Sequence, residues 1–379
     1  MASIISGADT FGLLAALAGL AAVAVALEQT QWGKRLSAPV LIIVLAAIAA
    51  QLKVLPSAAP LYDQIWSLLV PLAVALFLIK ADLFGIVRES GRVLIAFIVG
   101  AIGVIAGSLL GAMVFDLGPN EASLVGVFSA TYTGGSLNFA AVAEAVNFRD
   151  PDIVASAVAI DNVFGTTFLL LLNGLAGWSA FKRYYEYRTA SLDGELQDTS
   201  GVAERSLHVG DVLTALAIAA AACAAGNMLA SLSGISGSQL LFTTAIMVAA
   251  ATFAAPLMSR ISGEDAIALG LMYIFFAMIG AGVDIGAMLR EAPSLFLFVA
   301  TILIVHTIVL LGVGKLLKLN YAELIVASIA CIMGPPVAAA IAVLFGWRGL
   351  VVPGVMTGVL GYAVGNFIGV GLHGFVSAW

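Results

Sequence analysis

Long apolar segments separated by short polar ones make up almost the whole chain. Twelve such runs fall into two groups of six, on either side of a polar stretch at 181–210. Most of them are long enough to cross about 30 Å of hydrocarbon at 1.5 Å of helix per residue. The pattern therefore predicts a polytopic, all-α membrane protein. The predicted runs are 11–27, 38–52, 64–79, 93–115, 122–148, 153–178, 212–234, 239–258, 266–283, 293–314, 324–345 and 349–376.

Two of the runs are interrupted near their middle by residues that do not suit a continuous helix. Gly134-Gly135 lies among hydroxyl and amide side chains, and Gly334 is followed by Pro335-Pro336. Non-helical backbone is tolerated at membrane depth only where protein buries it or a watery cavity meets it. Corresponding interruptions in two halves of a chain indicate the binding site of a secondary transporter. Close helix packing is the alternative explanation for the glycines, but consecutive prolines have no such use.

The two halves also repeat individual residues at a fixed spacing. One motif of charged residues recurs 202 positions later, and three glycines recur 200 positions later. The spacing predicts an N-terminal repeat at 1–180, a polar cytoplasmic linker at 181–210 and a C-terminal repeat at 211–379. The matched residues are Asp82, Arg88 and Glu89 with Asp284, Arg290 and Glu291, and Gly134, Gly165 and Gly174 with Gly334, Gly365 and Gly374.

Basic residues in the loops decide how the repeats are related. If each broken run is a re-entrant hairpin, each half crosses the membrane five times and both termini lie outside. Of the 16 Lys and Arg residues, 13 are then cytoplasmic, whereas crossing runs would give an even split. Since cytoplasmic loops are enriched in Lys and Arg, we expect two inverted repeats, each of five transmembrane helices and one hairpin. The three outer residues are Lys53, Arg149 and Arg290.

A carboxylate inside the membrane is the next informative feature. Asp161 follows Ile153 by eight positions, which puts it roughly 13 Å deep and level with the first break. An intramembrane carboxylate marks an ion, proton or substrate path by default, although a buried Asp can also be protonated or paired. We expect it to bind a coupling cation, most simply sodium. The predicted sodium ligands are Thr131, Thr133, Asn138, Asp161 and Asn162.

Each break also starts a half-helix, whose free amide protons and positive dipole end attract an anion. Ser136 or Asn138 can cap the first start, and Pro336 suits the first helical position at the second. A small organic anion is therefore expected to bind between the two breaks. The predicted solute-binding residues are Ser129, Thr133, Gly134, Gly135, Ser136, Asn138, Gly334, Pro335, Pro336 and Asn366.

Two stretches carry a family resemblance. Residues 133–145, Thr-Gly-Gly-Ser-Leu-Asn-Phe-Ala-Ala-Val-Ala-Glu-Ala, and 159–163, Ala-Ile-Asp-Asn-Val, resemble the signature of the YjcL-like family of integral membrane proteins of unknown function. More distantly, the paired hairpins resemble those of sodium:glutamate and hydroxycarboxylate symporters, bile-acid symporters and cation/proton antiporters. That resemblance implies secondary transport, often sodium-coupled, by an elevator motion in a dimer. The Gly-Pro-Pro break departs from the polar, Gly-rich tip that the symporters repeat.

Composition and missing motifs narrow the function. With 62% hydrophobic and 10% charged residues, a water-soluble protein is excluded. No zincin motif or intramembrane aspartate pair indicates an enzyme. The sequence predicts a multi-pass transporter of the cell membrane that couples sodium to symport of a small organic anion. A proton-coupled transporter or cation/proton antiporter is the alternative. Expected partners are the solute, membrane lipid and a second copy in a homodimer, with no nucleic acid and no cofactor besides sodium.

Overall fold

Helices form the regular structure in the computed structural model, which describes residues 3–30, 38–186, 208–234, 238–283 and 285–379. Within those ranges no β-strand occurs, and eight helices are long and apolar enough to cross a membrane. The chain is therefore an all-α, multi-pass membrane protein. Most of the predicted linker, and Asp284 of the repeated motif, lie outside the described residues.

The helices are α1 (Thr10–Glu28), α2 (Ala38–Gln51), α3 (Pro60–Gln64), α4 (Val70–Phe77), α5 (Leu83–Val114), α6 (Glu121–Gly134), α7 (Leu137–Ala145), α8 (Pro151–Gly177), α9 (Ser179–Tyr184), α10 (Val209–Ser233), α11 (Gln239–Phe253), α12 (Ala255–Met258), α13 (Glu264–Gly282), α14 (Ile285–Leu316), α15 (Tyr321–Met333), α16 (Pro335–Leu344) and α17 (Val351–Val376). A π-helical turn, Ile65–Leu69, joins α3 to α4. Short 3₁₀ turns precede α6 and α17.

Helix lengths follow the sequence repeat. Helices α5 and α14 each contain 32 residues, and both are disturbed early in their length. In α5 the disturbance is Gly91, whose φ is +52°, and in α14 it is Pro293. The separation, 293 − 91 = 202, equals the offset of the charged motif. The same step in each half thus contains a long helix with a residue unfavourable to helix early in its length, a glycine at a kink in α5 and a proline in α14.

Two of the predicted crossings are occupied by short helices. Helix α2 has 14 residues and α11 has 15, so each spans roughly 21–23 Å. Helix α11 ends because Pro256, at the start of α12, cannot continue its hydrogen-bond ladder. The runs 38–52 and 239–258 were predicted as crossings, with polar flanks completing the shorter runs. Within the described residues α2 and α11 are shorter than the eight candidate spans, and α12 continues the second run to Met258.

The helices pack as two bodies. We call α1–α4 and α10–α13 the panel, in which α13 packs on α2 and α4, and α10 packs on α11. We call α5–α9 and α14–α17 the core, whose main contacts join α5 to α14 and α6 to α17. Contacts between the two bodies are fewer and involve mainly α8, α7 and α17 from the core. Each half of the chain therefore gives its early helices to the panel and its later ones to the core.

Small residues bring the two long helices of the core together. A Cβ atom added to Gly103 would lie 2.9 Å from the Cα atom of His306, and one added to Gly107 would lie 2.8 Å from that of Ile302. Gly111 continues the four-residue spacing and lies against Phe298. This is the close packing that small residues permit between transmembrane helices. It makes α5 and α14 a rigid support for the broken helices beside them.

Candidate functional site

The first break separates α6 from α7 at Gly135, whose φ is +98° and ψ is 170°. A side chain would be strained in that conformation, so glycine suits the position. The Gly135 amide donates to Thr131 O at 2.6 Å, which closes α6. Beyond the break the chain turns back: the rings of Phe128 and Phe139 are 6.3 Å apart, and Asn138 Nδ2 donates to Ala130 O at 3.4 Å. Helix α7 therefore lies alongside α6.

The second break has a similar backbone. Helix α15 ends at Met333, Gly334 has φ +82°, and α16 begins at Pro335. The sequence placed Pro336 at the first helical position, but Pro335 takes it and Pro336 comes second. Both prolines fit there because amides in the first turn have no partner within the helix. As a result, the start of α16 offers fewer free N–H groups than an ordinary helix start.

The two breaks meet at the middle of α17. A Cβ atom on Gly135 would lie 3.4 Å from the Gly334 nitrogen, so the two turns are neighbours. Five glycines on one face of α17 contact the broken helices in order along its length. Gly354 and Gly358 lie against α15 and α16, whereas Gly361, Gly365 and Gly369 lie against α6 and α7. The two broken pairs thus reach the centre of α17 from opposite ends.

Asp161 lies beside the first break. It projects from α8, is 5% exposed, and its Oδ2 accepts a hydrogen bond of 2.6 Å from the Ser136 hydroxyl. The buried Tyr132 hydroxyl interacts with the same carboxylate without reaching hydrogen-bond geometry. Ser136 occupies the N-cap position of α7, as predicted, but its side chain caps no amide. Its hydroxyl serves Asp161 instead.

Other predicted sodium ligands make their hydrogen bonds elsewhere. The Thr131 and Thr133 hydroxyls each donate at 2.8 Å to carbonyl oxygens of their own helix. Asn162 Nδ2 donates to Val158 O at 2.8 Å. Asn138 Nδ2 donates to Gly361 O of α17 at 2.9 Å. Asp161 instead accepts a hydrogen bond from Ser136, which was not among the predicted sodium ligands.

The predicted solute-binding residues divide into two sets. Ser136 and Pro336, 200 positions apart, are both exposed just after the breaks, so a ligand reaches them most directly. Ser129 is buried and its hydroxyl donates to Gly126 O at 2.9 Å. Asn366 is fully buried and donates to Thr244 Oγ1 of the panel at 3.3 Å. Gly134, Gly135, Gly334 and Pro335 form the contact between the two turns and α17, while Thr133 and Asn138 bond as described above.

Sequence reasoning missed the residues that pack around the first break and α8. Tyr132 stands in the first motif, but an aromatic residue between two threonines carries no ligand signature. Helix spacing offered no signal either, because Tyr132 lies on α6 before the break and Ser136 lies after it, at the start of α7. Cys331 Sγ donates to Tyr132 O at 3.1 Å, and Met333 Sδ lies 3.1 Å from a Cβ placed on Gly165. The second broken pair therefore packs directly against the helices that hold the carboxylate.

Comparison with known sequences finds relatives that match nearly the whole chain. The sequence profile of a family described as a protein of unknown function, DUF819, matches residues 15–379. The chain belongs to the DUF819 family. Another sequence, described as the uncharacterized membrane protein YjcL of Bacillus subtilis (strain 168), is 30% identical over 397 aligned positions, which cover 100% of both chains. The resemblance to the YjcL-like family is confirmed, and neither description names an activity.

Proposed function

We propose that this protein is a secondary active transporter of alternating-access type, in which Asp161 binds the coupling cation. The observation that supports it most directly is a carboxylate, 5% exposed, hydrogen-bonded to the serine at a helix break inside a membrane protein. Such a group is costly and functional by default. Two neighbouring breaks in corresponding halves of the chain support the same function.

Charge balance favours a cation at Asp161. Within the described part of the chain no ion pair reaches this carboxylate, and the buried acids that are paired belong to other places. Lys80 pairs with Glu264, Arg92 with Glu323 and Arg149 with Glu144. An uncompensated charge in the interior costs several kcal/mol, so a bound cation or a proton has to neutralise it.

Sodium is our first candidate because the Ser136 hydroxyl oxygen contacts the carboxylate and hard cations prefer oxygen ligands. Asp161, the Ser136 hydroxyl and the carbonyl groups that end α6 would hold the ion, since carbonyls at a half-helix C-terminus carry negative dipole. The hydroxyls of Thr131 and Thr133 already donate to backbone, so they retain lone pairs for a cation. The sodium ion would neutralise the charge of Asp161 and link the end of α6 to the start of α7.

For the transported solute we first propose a small organic anion, which is carried together with sodium by symport. A specific observation favours a second candidate, exchange of a cation for protons. The positive end of α7 already faces Asp161 through Ser136, and α16 begins with two prolines that have no N–H group. Both helix starts are therefore less available to a solute anion than the sequence suggested. Antiport needs no such anion.

Alternating access is proposed to occur by movement of the core against the panel. Contacts within each body are extensive and those between them are few, which suits two rigid units sharing a sliding surface. The broken pairs approach α17 from opposite ends, which supports inverted repeats and re-entrant hairpins. We place the α17 C-terminal end on the outer side of the cell membrane, following the distribution of Lys and Arg.

The test is ion-dependent thermal stability of the purified protein. A ligand that binds only the folded state raises its melting temperature, and a concentration of a hundred times Kd adds about 2.7 kcal/mol. We expect sodium, but not potassium, to stabilise the wild type by several degrees and to have no effect on Asp161→Asn. Asp82→Asn is the matched control: Asp82 caps α5 through Phe84 N at 3.0 Å, and Asn caps equally well.

The outcomes separate the candidates. Stabilisation by low pH and not by sodium, lost in Asp161→Asn, would establish the proton-coupled alternative. Equal sodium and pH responses in wild type and Asp161→Asn would reject Asp161 as the ion site. In that case transport assays in vesicles with imposed gradients would test whether the protein is a transporter at all.

A further inference from the structure

Arg149, in the loop between α7 and α8, reaches from the core to the panel. Its Nη2 atom donates to both carboxylate oxygens of Glu144 at 3.0 and 3.1 Å. Its Nη1 atom lies 3.7 Å from Asp63 Oδ1, and the guanidinium stands 5.6 Å from the centre of the Trp66 ring. Glu144 belongs to the core, whereas Asp63 and Trp66 belong to the panel. One side chain therefore bridges the two bodies at the end where α17 terminates.

The contacts of this bridge differ in strength. The Glu144 side chain is 13% exposed and both of its oxygens accept from one Arg149 nitrogen, so this charge-assisted contact is the stronger one. The Asp63 side chain is 82% exposed, and such a pair contributes little. Trp66 is itself fixed by an edge-on contact with Phe275 at 4.7 Å. Arg149 is thus held by the core and rests on an immobile aromatic surface of the panel.

Two cavities lie on either side of this side chain. The larger, of about 530 Å³, lies between α7 and α17 of the core and α4 and α11 of the panel. Its polar lining includes Glu144, Gln239 and His373. The smaller, of about 220 Å³, lies between the start of α8 and the panel, and Ile279 lines it. Arg149 lines both cavities.

The position of Arg149 leaves one donor unused. Its Nε atom is buried and has no hydrogen-bond partner, an arrangement that is uncommon in folded proteins. If the side chain turned towards water, Nε would regain a partner and the two cavities would join. The joined space would have the size and polar walls that suit a small, hydrogen-bonding solute.

We infer that the two cavities are halves of one vestibule for a small hydrophilic solute, and that the Arg149 side chain is the gate that divides them. This inference rests on the proposed transport function, because it gives the solute a route between core and panel. The gate opens when the guanidinium leaves Trp66, while Glu144 retains it on the core. Movement of the core away from the panel would have that effect.

Accessibility of a reporter cysteine tests the gate. Ile279 is 1% exposed and lines the smaller cavity. In a Cys223→Ala background, Ile279→Cys is treated with a cationic methanethiosulfonate reagent in lipid nanodiscs, and labelling is followed by mass spectrometry. We expect Arg149→Gln to speed labelling about tenfold or more. Glu144→Gln should act in the same direction, because it removes the anchor.

Two controls accompany this measurement. Arg88→Gln removes an exposed pair with Glu89 at 2.9 Å, outside both cavities, and should leave labelling unchanged. The native Cys331 is fully buried and should stay unlabelled in every variant. Equal labelling of Ile279→Cys with and without Arg149 and Glu144 would overturn the inference. Labelling of Cys331 together with the reporter would overturn it as well, by showing general loosening.

The experiment is independent of the ion site. Labelling requires neither sodium nor a solute, so a loss of the ion response in Asp161→Asn does not alter it. Conversely, an unchanged labelling rate in Arg149→Gln would leave the assignment of Asp161 intact. Failure of the gate and failure of the proposed transport function are therefore distinguishable.

Discussion

At the first break a serine hydroxyl meets a buried carboxylate, whereas at the second two prolines follow the glycine. The positions correspond: Ser136 matches Pro336 and Asp161 matches Gly361 at an offset of 200. Both backbones turn through a glycine with positive φ, and both broken pairs lie against α17. The two turns therefore share a backbone geometry, while a buried carboxylate bonds to the residue that follows only the first of them. The other packs against it.

Valine at the two glycines should separate these roles most strongly. Both φ values, +98° and +82°, are strained for a β-branched residue. We expect Gly135→Val to abolish both transport and the sodium-dependent rise in melting temperature, because Ser136 follows directly. Gly334→Val should lower stability and transport but keep the sodium response. The readouts are vesicle uptake and thermal melting; loss of the sodium response in both variants would mean that the two turns form the ion site jointly.

Alanine on α17 tests how each turn is held. A Cβ on Gly361 would lie 2.8 Å from Gly134 Cα, and one on Gly358 would lie 2.7 Å from Pro335 N. Each change should destabilise by about 1–3 kcal/mol through overpacking, measured by thermal melting. Gly371 has no atom within 4 Å of its added Cβ, so Gly371→Ala should be neutral or slightly stabilising. Similar melting temperatures for the three variants would contradict the close contact.

Removal of the Ser136 hydroxyl should weaken cation binding without unfolding the protein. Ser136→Ala deletes the 2.6 Å hydrogen bond to Asp161, and we expect sodium affinity to fall about tenfold, or about 1.4 kcal/mol. Pro336→Ala, at the matched position, should leave the affinity unchanged. Sodium titrations of the melting temperature give both values. An equal change in the two variants would remove the distinction between the turns.

The smallest effect is expected at Asn138. Its amide donates to Gly361 O at 2.9 Å, so Asn138→Ala removes one buried hydrogen bond and should cost about 1 kcal/mol. Because this bond joins α7 to α17, sodium affinity should not change. Titration of the variant with sodium separates this supporting role from the ligand role that the sequence suggested. A large loss of affinity would restore Asn138 to the ion site.

Much of the architecture could be predicted because membrane helices are recognisable in a sequence as long apolar segments. The two breaks were found for the same reason: Gly134-Gly135 and Gly334-Pro335 contradict a continuous helix. Asp161 stood out as a carboxylate inside an apolar run, and depth alone placed it near the first break. The family resemblance to YjcL-like proteins is confirmed over the whole chain.

The side-chain partners could not be predicted because they depend on rotation about each helix. Thr131, Thr133 and Asn162 had the right chemistry, but their hydrogen bonds go to the backbone of their own helices. The division into panel and core could not be predicted either, since it arises from packing between segments that are far apart in sequence. Sodium coupling, symport and elevator motion stay predictions.

The two short helices have a consequence for the surrounding bilayer. Helices α2 and α11 both belong to the panel, and Val44 and Ile48 of α2 are about half exposed. Their roughly 21–23 Å of apolar length is less than the 30 Å of ordinary hydrocarbon. Where such a helix faces lipid with no continuing segment, a thinner bilayer or helix flanks drawn inwards would accommodate it, at a cost of fractions of a kcal/mol per Å. The thickness of the host membrane therefore affects how well the panel fits the bilayer. Lipids with shorter acyl chains would reduce the difference between helix length and hydrocarbon thickness.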